Sequence, residues 1–587
     1  MTDTSPVKGF DRLLAIRVGI GLAQGVALYL LDKLGEHLPA TLLGALVLFV
    51  TLAPIAALGA IGACRARTAA IWLGVASAAL LALGGYEGWV FALEKAGEWP
   101  RFRVVAFLGA ALFVAHHLIL PADAERRRTA SYSRYFDEGW KDGVRLVLGL
   151  AFVGALWILL FLGAALFDLI GLKFLSDLIR EEWFAFPATT TFFALAIHVT
   201  ATRGSLVLGA RTLALNLMSW LLPLMTLIVG GFLAGLAFTG FSPLWETGHA
   251  GGILLAATGA LIVLINAAYQ DGERGDHPPR PLRWAVRVAA VLLAPLALVT
   301  AYGLWLRIAQ HGLTPGRIYA LACLLMAGIY ASGYLWAAVD RRGWMRRLEV
   351  VNIAAAHVVV LVLLAVFSPL ADPARLSVSD QVSRLRTGEA EAAAFDYRFL
   401  RFGGGRWGRE ALARLSSSAN PMIRERAREA ARLKSRHEPI GSRTPEVRRQ
   451  AFEVLGDAIP QDFLTQSWGE YDEPTIGCVG SCPVLVRDMD GDGAQEVVVL
   501  RPYNSVVYQR TEGRGWQRAG ELRGAWCSGD LDAVRARRFT VRPPRSLALE
   551  IEGREFVFTP DQKCDSRRRA AALEDEQVDV AIVKPGQ

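Results

Sequence analysis

At 587 residues, with 53% hydrophobic and 20% charged side chains, the chain is too long for one core, too apolar for a soluble protein and too charged for a purely membrane one. A membrane block over about 12–372 followed by a polar block resolves that conflict. The formal charge of +8 sits largely as Arg in short loops between apolar runs, and no Lys/Arg block with interleaved aromatics follows on a soluble stretch, so nucleic acid is excluded as a partner.

In chain order, Lys8 and Arg12 precede an apolar run, Leu13–Leu31, which begins like a signal peptide. No small-x-small cleavage site follows, and Gly35-Glu36-His37-Leu38-Pro39 leads into the next run, so the expectation is an uncleaved span. Arg17 and Gln24 make it the weakest of the set. Ten more runs follow: Ala40–Gly62, Ala69–Val90, Val104–Leu120, Leu146–Leu169, Phe184–Thr200, Leu213–Phe238, Gly251–Ala268, Val288–Ile308, Ile318–Val339 and Asn352–Leu370. Each is near the ~20 residues that cross ~30 Å of hydrocarbon as a helix. They are continuous in Leu, Ala, Val and Gly and lack the alternation of a barrel strand.

Lys and Arg in alternate loops number twenty on the side of the N-terminus and eight on the other, a bias that places the N-terminus in the cytoplasm. Eleven spans then carry the C-terminal part to the periplasm. The expected fold is an all-α polytopic membrane bundle of about eleven transmembrane helices, followed by an α+β soluble periplasmic domain. Its expected segments are the bundle over 1–372, a helical stalk over 373–474, a disulfide-bonded β-rich module over 475–564 and a charged tail over 565–587.

Cysteine usage agrees with an external location. Cys64 and Cys323 stand alone in or beside spans, as small apolar residues do. Cys478, Cys482, Cys527 and Cys564 fall within a hundred residues of one another in the polar block, and two disulfides in an oxidising compartment are expected. Cys478–Cys482 with Cys527–Cys564 is the preferred pairing, because each bond would staple neighbouring β segments. Zinc is the alternative, although the spacing lacks paired CxxC motifs. Strands are expected at Pro483–Val486, Val497–Leu500 and Ser505–Gln509, and a hairpin from Leu547–Ile551 and Glu555–Phe558 around Glu552-Gly553.

Between the first two strands lies Asp488-Met489-Asp490-Gly491-Asp492-Gly493-Ala494-Gln495-Glu496. Asp488, Asp490 and Asp492 at alternate positions converge hard oxygen donors, Gly493 permits the sharp turn, and Glu496 can close the shell. That chemistry suits Ca²⁺, which takes six to eight oxygens. The loop is not an EF-hand, because its twelfth position is Val499 and strands flank it; it resembles the DxDxDG hairpins of integrin-type blades in a single copy. An acidic β-turn is the alternative.

An ordered set of short motifs resembles a family of multi-pass bacterial inner-membrane proteins carrying a domain of unknown function. The set is Pro243-Leu244-Trp245-Glu246-Thr247-Gly248, Ile265-Asn266-Ala267-Ala268-Tyr269-Gln270-Asp271-Gly272, His311-Gly312-Leu313-Thr314-Pro315-Gly316-Arg317 and Phe395-Asp396-Tyr397-Arg398-Phe399-Leu400-Arg401-Phe402. The resemblance runs from about Arg134 to Leu412. It implies a polytopic inner-membrane protein of a Gram-negative bacterium and brings no catalytic residues.

Polar residues within the runs (His116, His117, Asp168, His198, Asn216, Asn266 and His357) are candidates for proton or substrate pathways. Asn216 and Asn266 are expected instead to bond across helices. No clustered acid/base set or nucleotide fingerprint favours an enzyme. The expected function is a non-catalytic envelope anchor or sensor whose external module binds calcium or an envelope protein, with the lipid bilayer as its other partner. A secondary transporter with an accessory domain is the alternative, and Gly84-Gly85 and Gly230-Gly231 are the places where a broken helix would be sought.

Overall fold

The computed structural model describes residues 6–91, 102–241, 250–272, 278–340, 343–433 and 436. Beyond these it describes 445–557 apart from 467, 469–473, 476–477, 479–480, 502–504, 512, 514, 523–529, 539–547 and 552–553. The chain forms two compact units, Met1–Ala411 and Leu412–Gln587.

Among the described residues of the first unit, eleven helices are long and apolar enough to cross a membrane. They are α1 (Pro6–Leu34), α2 (Ala40–Ala60), α3 (Ala66–Phe91), α4 (Phe102–Ala124), α5 (Tyr132–Leu169), α7 (Glu182–Thr202), α8 (Gly204–Thr239), α9 (Ala250–Tyr269), α10 (Arg280–His311), α11 (Pro315–Val339) and α12 (Arg347–Val366). A short α6 (Phe174–Arg180) joins α5 to α7. Several helices outrun their apolar cores. The 38 residues of α5 amount to ~57 Å, nearly twice the hydrocarbon thickness, and its first four turns carry charge. The last span is displaced from the expected Asn352–Leu370 to Arg347–Val366. Pro369 disfavours helical geometry at Ser368, and the chain turns there.

Glycines set the closest helix crossings. A Cβ added to Gly84 or Gly88 of α3 would stand 2.4 Å from the Gly44 carbonyl oxygen or 2.1 Å from that of Ala40 in α2. On α1, Gly21 and Gly25 face Thr190 and Pro187 of α7 at comparable distances, 2.6 Å and 2.3 Å. Both pairs are GxxxG, the spacing that puts two small residues on one helix face and lets backbones touch. Gly84-Gly85 and Gly230-Gly231 thus lie inside continuous helices, and Gly84 serves packing.

The expected stalk divides at Ala411. Its first part, including α13 (Pro373–Thr387) and the start of α14 (Gly405–Leu415), belongs to the bundle's unit. Asp372 caps α13 through the Ala374 amide at 2.8 Å, and its other oxygen accepts from Tyr86 Oη at 2.7 Å and Trp407 Nε1 at 2.8 Å. Gln381 and Arg384 of α13 donate to the free carbonyls at the end of α10, while Asp380 accepts from the Leu313 amide at 2.6 Å. The Gly403-Gly404-Gly405 run is a packed corner: Gly405 adopts φ 55° and a Cβ there would meet Val90.

The second unit holds α15 (Pro421–Arg432), capped by Asn420, then α16 (Pro445–Gln450) and a five-stranded sheet. The sheet order is β1 (Phe452–Val454), β2 (Cys482–Arg487), β3 (Glu496–Val499), β4 (Ser505–Thr511), β5 (Gly515–Leu522), parallel between β1 and β2 and antiparallel elsewhere. Alternation splits the side chains cleanly. Val484, Val486, Val497, Val499, Val506 and Tyr508 pack with Phe463 of α17 (Gln461–Thr465), while Leu485, Val498, Leu500 and Val507 form a second layer with Leu522. The expected hairpin is present as β6 (Ala548–Ile551) and β7 (Arg554–Val557). Cys478 and Cys482 are disulfide-bonded at the start of β2, and Cys64 and Cys323 are free thiols. Cys527, Cys564 and the 565–587 tail lie outside the described residues.

The glycine crossings give a paired prediction. Gly84→Ala forces a methyl against backbone and should cost ~1–3 kcal/mol, whereas Gly85→Ala, whose Cβ would sit 3.5 Å from its nearest atom, should stay within ~0.5 kcal/mol. Thermal unfolding of the purified protein in detergent compares them; equal melting temperatures would remove the close α2–α3 approach.

Candidate functional site

The acidic loop is a β2–β3 connection closed by the pairing of Arg487 with Glu496. Gly491 and Gly493, both at positive φ, fold it so that their amides donate to the two oxygens of Asp488 at 2.7 and 3.1 Å. Asp490 accepts from the Asp492 amide and, through its other oxygen, from Gln509 of β4 at 3.0 Å. Glu496 is 2% exposed; one oxygen accepts from the Met489 amide at 2.7 Å and the other, Oε1, has no hydrogen-bond partner among the described residues. Carboxylate oxygens of Asp488, Asp490 and Glu496 lie within 4.8 Å of one another. Asp492 is not in that group; its side chain caps the Ala494 amide at 2.7 Å. Burial raises the pKa of Glu496, opposed by the Met489 amide, and the charges of Asp490, Asp492 and Asp488 raise it further. Like charges are thus held together at the cost of ionising the buried one.

A second site lies in the bundle, where α1, α2, α4, α5 and α7 enclose a cavity of about 620 Å³. One wall is a stripe along the polar start of α5: Arg134, Glu138, Lys141, Asp142 and Arg145, spaced to share one helix face. Glu138 pairs with Arg134 at 3.2 Å and Lys141 at 2.9 Å, and Asp142 with Arg145 at 2.5 Å and His117 Nε2 at 3.1 Å. Both ring nitrogens of His117 face acceptors, the second being the Phe113 carbonyl at 2.8 Å. Trp72 Nε1 donates to His116 Nδ1 at 3.1 Å, and Gly59 leaves room for that ring. Opposite stands Arg17, 9% exposed, with Nη2 donating to the Ile61 carbonyl at 3.2 Å and Nη1 3.4 Å from His198 Nδ1.

The sequence had His116, His117 and His198 as separate candidates; the fold gathers them round this cavity and on Arg17. It leaves others apart. Asp168 accepts from Ser176 at an exposed end, His357 faces outward, and Asn216, expected to bond across helices, is exposed instead. Asn266 bonds across helices as expected, in a closed network: its amide donates to Tyr334 Oη, Tyr334 to Asn352 Oδ1, and the Asn352 amide to Tyr132 Oη and Asn266 Oδ1, at 2.6–3.1 Å. The α5 stripe was missed, although its i, i+4, i+7, i+8, i+11 spacing stands in the sequence.

The family described as a domain of unknown function, DUF4153, matches residues 20–415. The chain belongs to the DUF4153 family. No curated protein and no solved structure matches it. The DUF4153 region covers the whole cavity except Arg17, together with the Tyr/Asn network and the Asp372 junction, and it excludes the acidic loop. Three of the four motifs first noted are structural within it. Asn266 and Tyr269 bond Tyr334 and Glu349. In the third, Gly312 ends α10 at φ 70° and Thr314 caps α11. In the fourth, Tyr397 and Leu400 are buried. The Pro243–Gly248 motif lies outside the described residues.

Asn352 is the hub of the network. Asn352→Leu should strand Tyr132 and Asn266 together and cost ~2 kcal/mol, whereas Tyr132→Phe removes one donor-acceptor at the margin and should cost under ~1 kcal/mol. Unfolding by titrated denaturing detergent measures both; equal costs would contradict the hub role.

Proposed function

We propose that this DUF4153 protein is a non-catalytic envelope anchor or sensor of a bacterial inner membrane, with its N-terminus in the cytoplasm and its C-terminal unit in the periplasm, where the acidic loop binds Ca²⁺. The observation that carries this is the unpaired Oε1 of buried Glu496 beside the carboxylates of Asp488 and Asp490. Three ionised carboxylates so close repel, and a divalent cation converts the repulsion to attraction. Asp488, Asp490 and Glu496 would hold the ion, with Asp492, backbone carbonyls and water available to complete six to eight oxygens. The glycine-shaped loop and the donor from Gln509 hold the aspartates in place beforehand, which lowers the ordering cost of binding. The Cys478–Cys482 bond supports an oxidising compartment.

A secondary transporter remains the second reading, favoured by one observation, the charged cavity in the bundle. Transporter sites commonly form on discontinuous helices, and the helices around this cavity are continuous.

Extracellular calcium modules bind at ~10⁻⁴–10⁻³ M. In the full-length protein, calcium at about a hundred times its dissociation constant should stabilise the C-terminal unit by ~2.7 kcal/mol, slowing cleavage by a calcium-independent protease about a hundredfold. Asp490→Asn and Glu496→Gln should each abolish the protection. Identical cleavage in calcium and in chelator, or protection that survives both substitutions, would show the loop to be only a turn.

A further inference from the structure

The bundle cavity has an unbalanced charge that the acidic loop does not explain. Its walls carry four permanent cations, Arg17, Arg134, Lys141 and Arg145, against two carboxylates, Glu138 and Asp142, a surplus of two before the histidines are counted. The carboxylates are already shared: Glu138 between Arg134 and Lys141, and Asp142 between Arg145 and His117. Arg17 has no carboxylate partner among the described residues, although it is more than nine-tenths buried. Its Nε–H is unpartnered among the described residues, as is the Nε–H of Arg145. Two buried guanidinium donors in the walls of one cavity therefore await an acceptor, and burying a charge without a partner is costly.

The rest of the lining limits what that acceptor is. Leu52, Ile55, Leu112, Phe113 and Phe193 make much of the wall apolar, and the lining runs out to Leu150, which is 65% exposed on the outer face of α5. In a membrane, that face meets lipid. The other end lies where α2 and α4 finish and α5 begins, at Gly62, Ala124 and Arg134. Charge, an apolar wall and a lateral opening belong together in a site for an anionic amphiphile. A basic pocket between spans, at the end of the bundle richest in Lys and Arg, fits an anionic lipid headgroup. Arginine's planar fork matches phosphate oxygens, and about 620 Å³ accommodates a headgroup with the first part of its chains.

We propose that the cavity binds a phosphate anion between Arg17 and Arg145, supplied by an anionic phospholipid whose chains lie along the apolar wall. No covalent step is involved. The site is independent of the acidic loop and lies wholly in the first unit.

The test uses the full-length protein in a neutral detergent and measures thermal stabilisation by three probes: dioctanoyl-phosphatidylglycerol, dioctanoyl-phosphatidylcholine and inorganic phosphate. Phosphatidylglycerol should stabilise saturably, and phosphatidylcholine at the same concentration should not. Arg17→Gln and Arg145→Gln should each weaken the phosphatidylglycerol effect about tenfold or more in concentration. Arg128→Gln, which removes a charge from the exposed α4–α5 connection outside the cavity, should leave it unchanged. If Arg17→Gln does not fold, Arg145→Gln carries the comparison alone. Equal stabilisation by phosphatidylcholine, or an Arg128→Gln loss as large as that of Arg145→Gln, overturns the site. Stabilisation by inorganic phosphate as strong as by phosphatidylglycerol overturns the lipid as its source.

Discussion

In a bundle surrounded by hydrocarbon, a polar group that is not paired inside the protein has no water to turn to. Most of the first unit obeys that constraint closely. Asn266, Tyr334, Asn352 and Tyr132 satisfy one another across four helices, Asp372 gathers Tyr86, Trp407 and the start of α13, and Gln381 with Arg384 takes up the last carbonyls of α10. The two candidate sites are places where an unpaired buried atom coincides with a cluster of like charge. One is cationic, at Arg17 and Arg145; the other is anionic, at Glu496. Each leaves a group that an ion of opposite sign would complete.

The closed networks also explain why the family motifs suggest no chemistry. Asn266 and Tyr269 are spent on neighbouring helices, Gly312 and Thr314 on stopping one helix and starting the next, and Tyr397 and Leu400 on a buried corner. Their work is to fix where helices cross and end. The glycines of α1 and α3 do the same by removing side chains, bringing backbone against backbone at α7 and α2.

How much was legible depended on which signal each element carries. The eleven candidate spans among the described residues stood out because continuous apolar runs near twenty residues have few other uses in a chain this long. Strands β2 to β4 were visible through β-branched residues, and the acidic loop through its Asp and Gly spacing. The start of α5 was invisible as helix because hydropathy averages its paired charges into a loop; only helical spacing from Arg134 to Arg145 betrays the stripe. Strand β5 was missed because it is an edge whose polar residues bury only Trp516, and β1 because three residues carry no period. That α13 belongs to the bundle rests on Asp380, Gln381 and Arg384 meeting a helix end some seventy residues earlier, which no local pattern announces.

The proposed function depends on a cytoplasmic N-terminus and a periplasmic location for the disulfide-bonded unit that carries the acidic loop. Fusion of a reporter active only in the periplasm after Gln587, paired with a cytoplasm-specific reporter at the same position, tests this most directly. The proposed topology predicts signal from the periplasmic reporter alone. Signal from the cytoplasmic reporter would contradict it, removing at once the odd number of crossings and the oxidising setting proposed for Cys478–Cys482.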